Sequence, residues 1–91
     1  MLSQIPENFE KVKPADLEKE ILRVGMIAEL DAVSLYEQMA ALTKNEKVRE
    51  TLLDIAKEEK THIGEFQALL LKADKEQERE LLAGKKEVER K

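Results

Sequence analysis

Residues 16–42, DLEKEILRVGMIAELDAVSLYEQMAAL, contain no Pro and a single Gly, and their apolar residues recur at helical spacing. This predicts one helix from Asp16 to about Leu42. At ~100° per residue the apolar positions form two stripes. Leu22, Met26, Val33, Tyr36 and Ala40 make one; Leu17, Ile21, Val24, Ala28, Leu35, Met39 and Leu42 make the other. A polar break, Thr43-Lys44-Asn45-Glu46, follows, with Asn45 placed to cap a second helix from about Glu46 to Leu71. A break this short joins antiparallel neighbours. Each helix spans roughly 40 Å at ~1.5 Å per residue. One hairpin partner cannot cover both stripes, so the pattern predicts self-association, with a second hairpin completing a four-helix core.

Outward from the hairpin, residues 1–13 lack a sustained period and read as a flexible leader. Pro14 prepares the helix start, with Asp16 as candidate cap. Asp74 is placed to cap a short third helix, Lys75 to Ala83, which Gly84 is expected to end. The chain thus divides into a leader (1–13), a helical domain (14–83) and a charged tail (84–91). The predicted fold class is all-α: an antiparallel two-helix hairpin with a short C-terminal helix, dimerising into a four-helix bundle.

Composition agrees. With 91 residues there is room for one small core, and 40% charged against 3% aromatic residues excludes an all-β domain. Sixteen Lys and Arg scattered among 20 Asp and Glu give a net charge of -4, which argues against nucleic acid as a partner. The absence of Cys removes disulfides, thiolate zinc and iron–sulfur sites. No stretch approaches the ~20 apolar residues of a membrane helix, and the first residues do not form a secretory signal, so a cytoplasmic location is expected.

Three residues break the apolar pattern where chemistry is the economical explanation. Glu29 lies at the centre of the first stripe, with Leu22, Gly25, Met26, Ala32, Val33 and Tyr36 around it. Glu59 holds the matching place on the second helix among Leu52, Ile55, Ala56, Ile63, Phe66 and Leu70. Both carboxylates are expected to be buried, at a cost of several kcal/mol each unless protonated, paired or metal-bound. Arg23, Lys57 and Lys60 point away from the stripes. Glu59-Lys60-Thr61-His62 is a Glu-x-x-His, which sets carboxylate and imidazole on one helix face. Ferritin-like di-iron sites take one Glu from each of two helices and one Glu-x-x-His from each of two more. This chain carries half that set. A symmetric dimer doubles Glu29, Glu59 and His62 to four carboxylates and two imidazoles, whose charge two divalent ions neutralise. Such donors suit iron or manganese.

The stretches Ile27-Ala28-Glu29-Leu30-Asp31-Ala32-Val33-Ser34-Leu35-Tyr36 and Glu58-Glu59-Lys60-Thr61-His62 closely resemble the encapsulated ferritins, over about residues 21–71. The resemblance implies a ferroxidase centre between two hairpins, using Fe(II) and O2 with two irons per dimer, and dimers assembled into a ring-shaped decamer inside an encapsulin shell. By motif it implies Glu29, Glu59 and His62 as iron ligands and Tyr36 as a tyrosine hydrogen-bonding beside them. Asp31 matches one of the family's flanking acids thought to draw iron in, while Ala28 replaces another. The tail does not look like the usual apolar shell-targeting peptide; some archaeal relatives fuse this domain to the shell protein.

Simpler readings exist for each residue. A lone His62 reads as a packed histidine, and Tyr36 suits a bundle interface without chemistry. Glu58 at the stripe's edge and Glu65 outside it read as solvated, and Asp31 lies about opposite Glu29. Gly25, beside Glu29 on the wheel, reads either as close helix approach or as a tolerated glycine. Two further function classes fit the pattern: a metal-stabilised helical cargo or interaction module without turnover, and another di-iron oxidase or peroxidase of the rubrerythrin type, although no rubredoxin-like Cys motif is present to feed it electrons.

Overall fold

The computed structural model describes residues 9–91, so most of the predicted leader, residues 1–8, lies outside the described residues. Phe9–Lys11 and Pro14–Asp16 form short 3-10 turns. Three α-helices follow: α1 (Leu17–Leu42), α2 (Glu46–Ala73) and α3 (Lys75–Glu89), with no strand among the described residues.

α1 and α2 form the hairpin that the apolar periods predict. The direction of α2 is legible in the side-chain pairs between the two helices. Glu37 meets Lys60, Glu29 meets His62, and Gly25 lies under Phe66: the number falls on α2 as it rises on α1, which is antiparallel packing. The turn is closed by capping. Asn45 Oδ1 accepts from the Val48 N–H at 3.1 Å, as its position predicts. Arg49 reaches back from α2, donating to the Ala40 carbonyl at 3.2 Å and the Thr43 carbonyl at 2.6 Å, two of the orphan acceptors at the end of α1. Asp16 stands at the N-cap of α1 but makes no side-chain cap bond; it pairs instead with Lys19 at 3.3 Å.

The elbow between α2 and α3 is one residue, Asp74, in extended conformation. Its Oδ1 accepts from the Gln77 N–H at 3.0 Å, capping α3 as expected, and its Oδ2 accepts from Arg23 of α1 at 2.8 Å. Gly84 does not end α3, which runs on to Glu89. A terminating glycine works by entering the left-handed region, and no described glycine has positive φ. The residues after Gly84, KKEVE, are mostly good helix formers, so the helix absorbs the ~1 kcal/mol cost of one Gly.

The single chain does not finish a core. Among the described residues the buried apolar ones are Val33, Ala40, Ala56 and Leu70, two of them alanines, and no large side chain is fully buried. Leu30 (54% exposed), Leu42 (83%), Leu53 (45%) and Leu69 (54%) remain open. The radius of gyration, 16.1 Å, exceeds the about 12 Å of a compact domain of this length. On α1 the second stripe keeps uncovered surface at Ile21, Leu35 and Leu42, while the first stripe is buried or half-buried.

Candidate metal centre

Glu29 from the middle of α1 faces Glu59 and His62 from the middle of α2. Helix periodicity sets this arrangement: Glu59 and His62 are one turn apart on one face, and the antiparallel register brings that turn beside Glu29. One ligand-capable atom from each of the three residues lies within 4.8 Å of the others. His62 Nδ1 is 3.5 Å from Glu29 Oε2 and 3.6 Å from Glu59 Oε2. Among the described residues this is the one group of three such donors that comes together.

The carboxylates are less buried than the apolar pattern predicts. Glu29 and Glu59 side chains are 21% and 19% exposed and His62 is 47% exposed, because one side of the cluster opens on the uncovered face of the hairpin. Even so, Glu29 Oε2 is itself buried and accepts no hydrogen bond. A buried acceptor left without a donor costs about 1–3 kcal/mol, more when charged. The His62 nitrogen is too distant for a good hydrogen bond and well placed to share a cation. Donors about 2.1 Å from one ion stand about 3–4 Å apart, and both His62 distances, 3.5 and 3.6 Å, fall in that range. Two carboxylates and one imidazole are the donor types that suit iron and manganese.

Beside the cluster is an open groove of about 330 Å³ lined by Glu29, His62, Glu65, Phe66 and Leu69. Glu65 is the residue the apolar stripe overlooks; an i, i+3 step onward from His62 finds it. Tyr36 is half-buried on α1 and does not line this groove; seven residues beyond Glu29, it lies about 10 Å further along the helix. Asp31 is buried, 7% exposed. It lies about opposite Glu29, as the wheel predicts, within the second stripe, three residues after Ala28 and four before Leu35. Glu58 is exposed, as expected. Gly25 is decided in favour of close approach, since the Phe66 ring lies against it.

Comparison with known proteins places this geometry. The rubrerythrin family model matches residues 20–91. A ferritin-like-encapsulin shell fusion protein of Pyrococcus furiosus is 54% identical over 90 residues, covering 97% of this chain, which spans about a quarter (26%) of that relative's length. The crystal structure of the encapsulated ferritin domain from Pyrococcus furiosus superposes with a TM-score of 0.83 at 51% identity, covering 99% of this chain and 94% of that one. A rubrerythrin-type domain implies iron as the metal for this donor set. With its hairpin, its Glu-x-x-His and its paired glutamates, the chain belongs to the encapsulated ferritins within the ferritin-like rubrerythrin family.

Proposed function

We propose that this chain is a ferroxidase: two copies pair through the open face of the hairpin, form a centre from two sets of Glu29, Glu59 and His62, and oxidise Fe(II) to Fe(III) with O2. The observation that carries this reading is the buried, unpartnered Glu29 Oε2 facing Glu59 and His62. Fe(II) is the substrate, two ions per dimer, each giving one electron to O2. Four carboxylates balance the charge of two Fe(II), and each His62 supplies a neutral nitrogen that fixes one ion from the side. Tyr36 acts from further along the same face as a hydrogen-bonding neighbour, brought closer by the second copy. The apolar residues left open on the hairpin support the pairing, because a second copy covers them.

The product belongs in a compartment. A groove of about 330 Å³ holds no mineral, so Fe(III) must leave for storage elsewhere. The relative fused to an encapsulin shell supports an encapsulin nanocompartment in the cytoplasm as that place, with dimers associated into a higher ring, a decamer by family resemblance. No described helix is long and apolar enough to cross a membrane.

Fe(II) oxidation in air, followed at rising iron-to-protein ratios, tests the proposal. The parent is expected to outpace the buffer by a wide margin, and Glu29→Ala, Glu59→Ala and His62→Ala to fall to near the buffer rate. Parent oxidation no faster than buffer, with metal still bound, overturns the enzyme and favours a non-catalytic metal-stabilised cargo module.

A further inference from the structure

Gly25 of α1 and Phe66 of α2 meet at one end of the candidate centre. Gly25 is four residues before Glu29 on α1, and Phe66 is four residues after His62 on α2, so each lies one turn from a proposed ligand on the same face. The Phe66 ring is seated on the α1 backbone. A Cβ at residue 25 would stand 2.8 Å from Phe66 Cε1, 2.9 Å from Cζ and 3.0 Å from Cδ1, where ordinary contact is 3.4–4 Å. Backbone conformation does not require this glycine, because its φ is not positive, and a helix interior prefers Ala. What the glycine supplies is space for the ring. Phe66 in turn lines the groove with Glu29 and His62.

We infer that Gly25 and Phe66 are a positioning pair for the metal centre: the ring resting on bare backbone sets the separation of α1 and α2 at the level of Glu29, Glu59 and His62. This rests on the reading of those three residues as metal ligands. A methyl group at residue 25 opens this 2.8 Å contact toward the 3.4 Å of ordinary packing, by moving either the Phe66 ring into the groove or α2 away from α1, while metal–ligand distances vary by only about 0.2 Å. Either movement acts one turn from Glu29 on α1 and from His62 on α2. The other helical glycines provide the contrast. A Cβ at Gly64 or Gly84 would meet nothing within 4 Å, so Ala at either adds helix propensity and touches nothing.

Anaerobic Co(II) titration of the full chain, read by the visible d–d absorption of the bound ion, tests the pair, with melting in chelator as the measure of folding. Gly25→Ala is expected to weaken Co(II) binding at least tenfold and to alter the d–d band, whereas Gly64→Ala leaves both unchanged. Phe66→Leu, which keeps the space but removes the ring, weakens binding several-fold. The double variant Gly25→Ala/Phe66→Leu binds no more weakly than Phe66→Leu alone, because the methyl no longer meets a ring. Gly25→Ala with the parent's affinity and spectrum overturns the inference. So does Phe66→Leu with unchanged affinity, a readout that stands even if Gly25→Ala fails to fold. A parent chain that takes up no Co(II) instead overturns the ligand reading beneath it.

Discussion

Two carboxylates, Glu29 and Asp74, are both partly sequestered on the hairpin, yet the structure treats them in opposite ways. Asp74 has donors supplied: the Gln77 N–H at 3.0 Å and the Arg23 guanidinium at 2.8 Å, which Glu20 also engages. Those donors, the Gln77 N–H foremost, hold its carboxyl below the ordinary value of 3.8 against the opposing effect of burial. Glu29 has a buried oxygen with no donor, and its nearest polar neighbours are another carboxylate and an imidazole. A carboxylate that serves the fold arrives with its hydrogen-bond donors, and one that serves a cation arrives without them. The same chain contains both arrangements, with Asp74 held by Arg23, a residue on α1 less than two turns before Glu29.

Exchanging the roles of the two carboxylates breaks the comparison most sharply. Glu29→Gln is expected to lower metal affinity on the order of 100-fold or more, since even outer partners of a metal ligand account for about 10–100-fold, while Asp74→Asn leaves it within a factor of two; isothermal titration with Co(II) under anaerobic conditions measures both. Next in size is the effect of metal on stability. Metal at about a hundred times its Kd adds roughly 2.7 kcal/mol to the folded state, about 10–20 °C in melting temperature for a domain of this size. Thermal melts with and without metal should show that rise in the parent and in Asp74→Asn, and lose it in Glu29→Gln.

A smaller effect separates the two by pH. Because the Asp74 carboxyl titrates below its ordinary value in the fold, its stabilisation is complete at neutral pH and is lost as the pH falls from about 3.8 through the lower folded value. Helical circular dichroism between pH 6 and pH 2, in chelator, should show Asp74→Asn starting less stable and losing less on acidification than the parent. The smallest change is expected at Lys60, whose 3.0 Å pair with Glu37 joins side chains 59% and 47% exposed. Lys60→Ala should shift stability by about 0–1 kcal/mol and leave metal binding alone, which denaturant titration checks. A large loss there would show that charge pairing, rather than apolar packing, joins α1 to α2.

The sequence alone carried the hairpin and half of the candidate metal site. Apolar period, a four-residue polar break and the caps at Asn45 and Asp74 are local signals, and each acts over a turn or two of helix, so they can be read without a partner. Glu29 and Glu59 were legible because an acid in the middle of an apolar stripe contradicts its own neighbours, and His62 because it stands three residues after Glu59 on the same helix face. The extent of α3 was not legible, because Gly84 ends a helix only if its backbone turns left-handed, and the helix-forming residues after it keep that from happening. Tertiary structure decided what distance and coverage govern. It brought Glu29 within 3.5 Å of His62, left Glu29 Oε2 without a donor, seated Phe66 on Gly25, added Glu65 to the groove and buried Asp31 on the face a wheel centred on Glu29 leaves out. Periodicity gives each residue an angle around its own helix; only the packing of one helix on another gives it a neighbour.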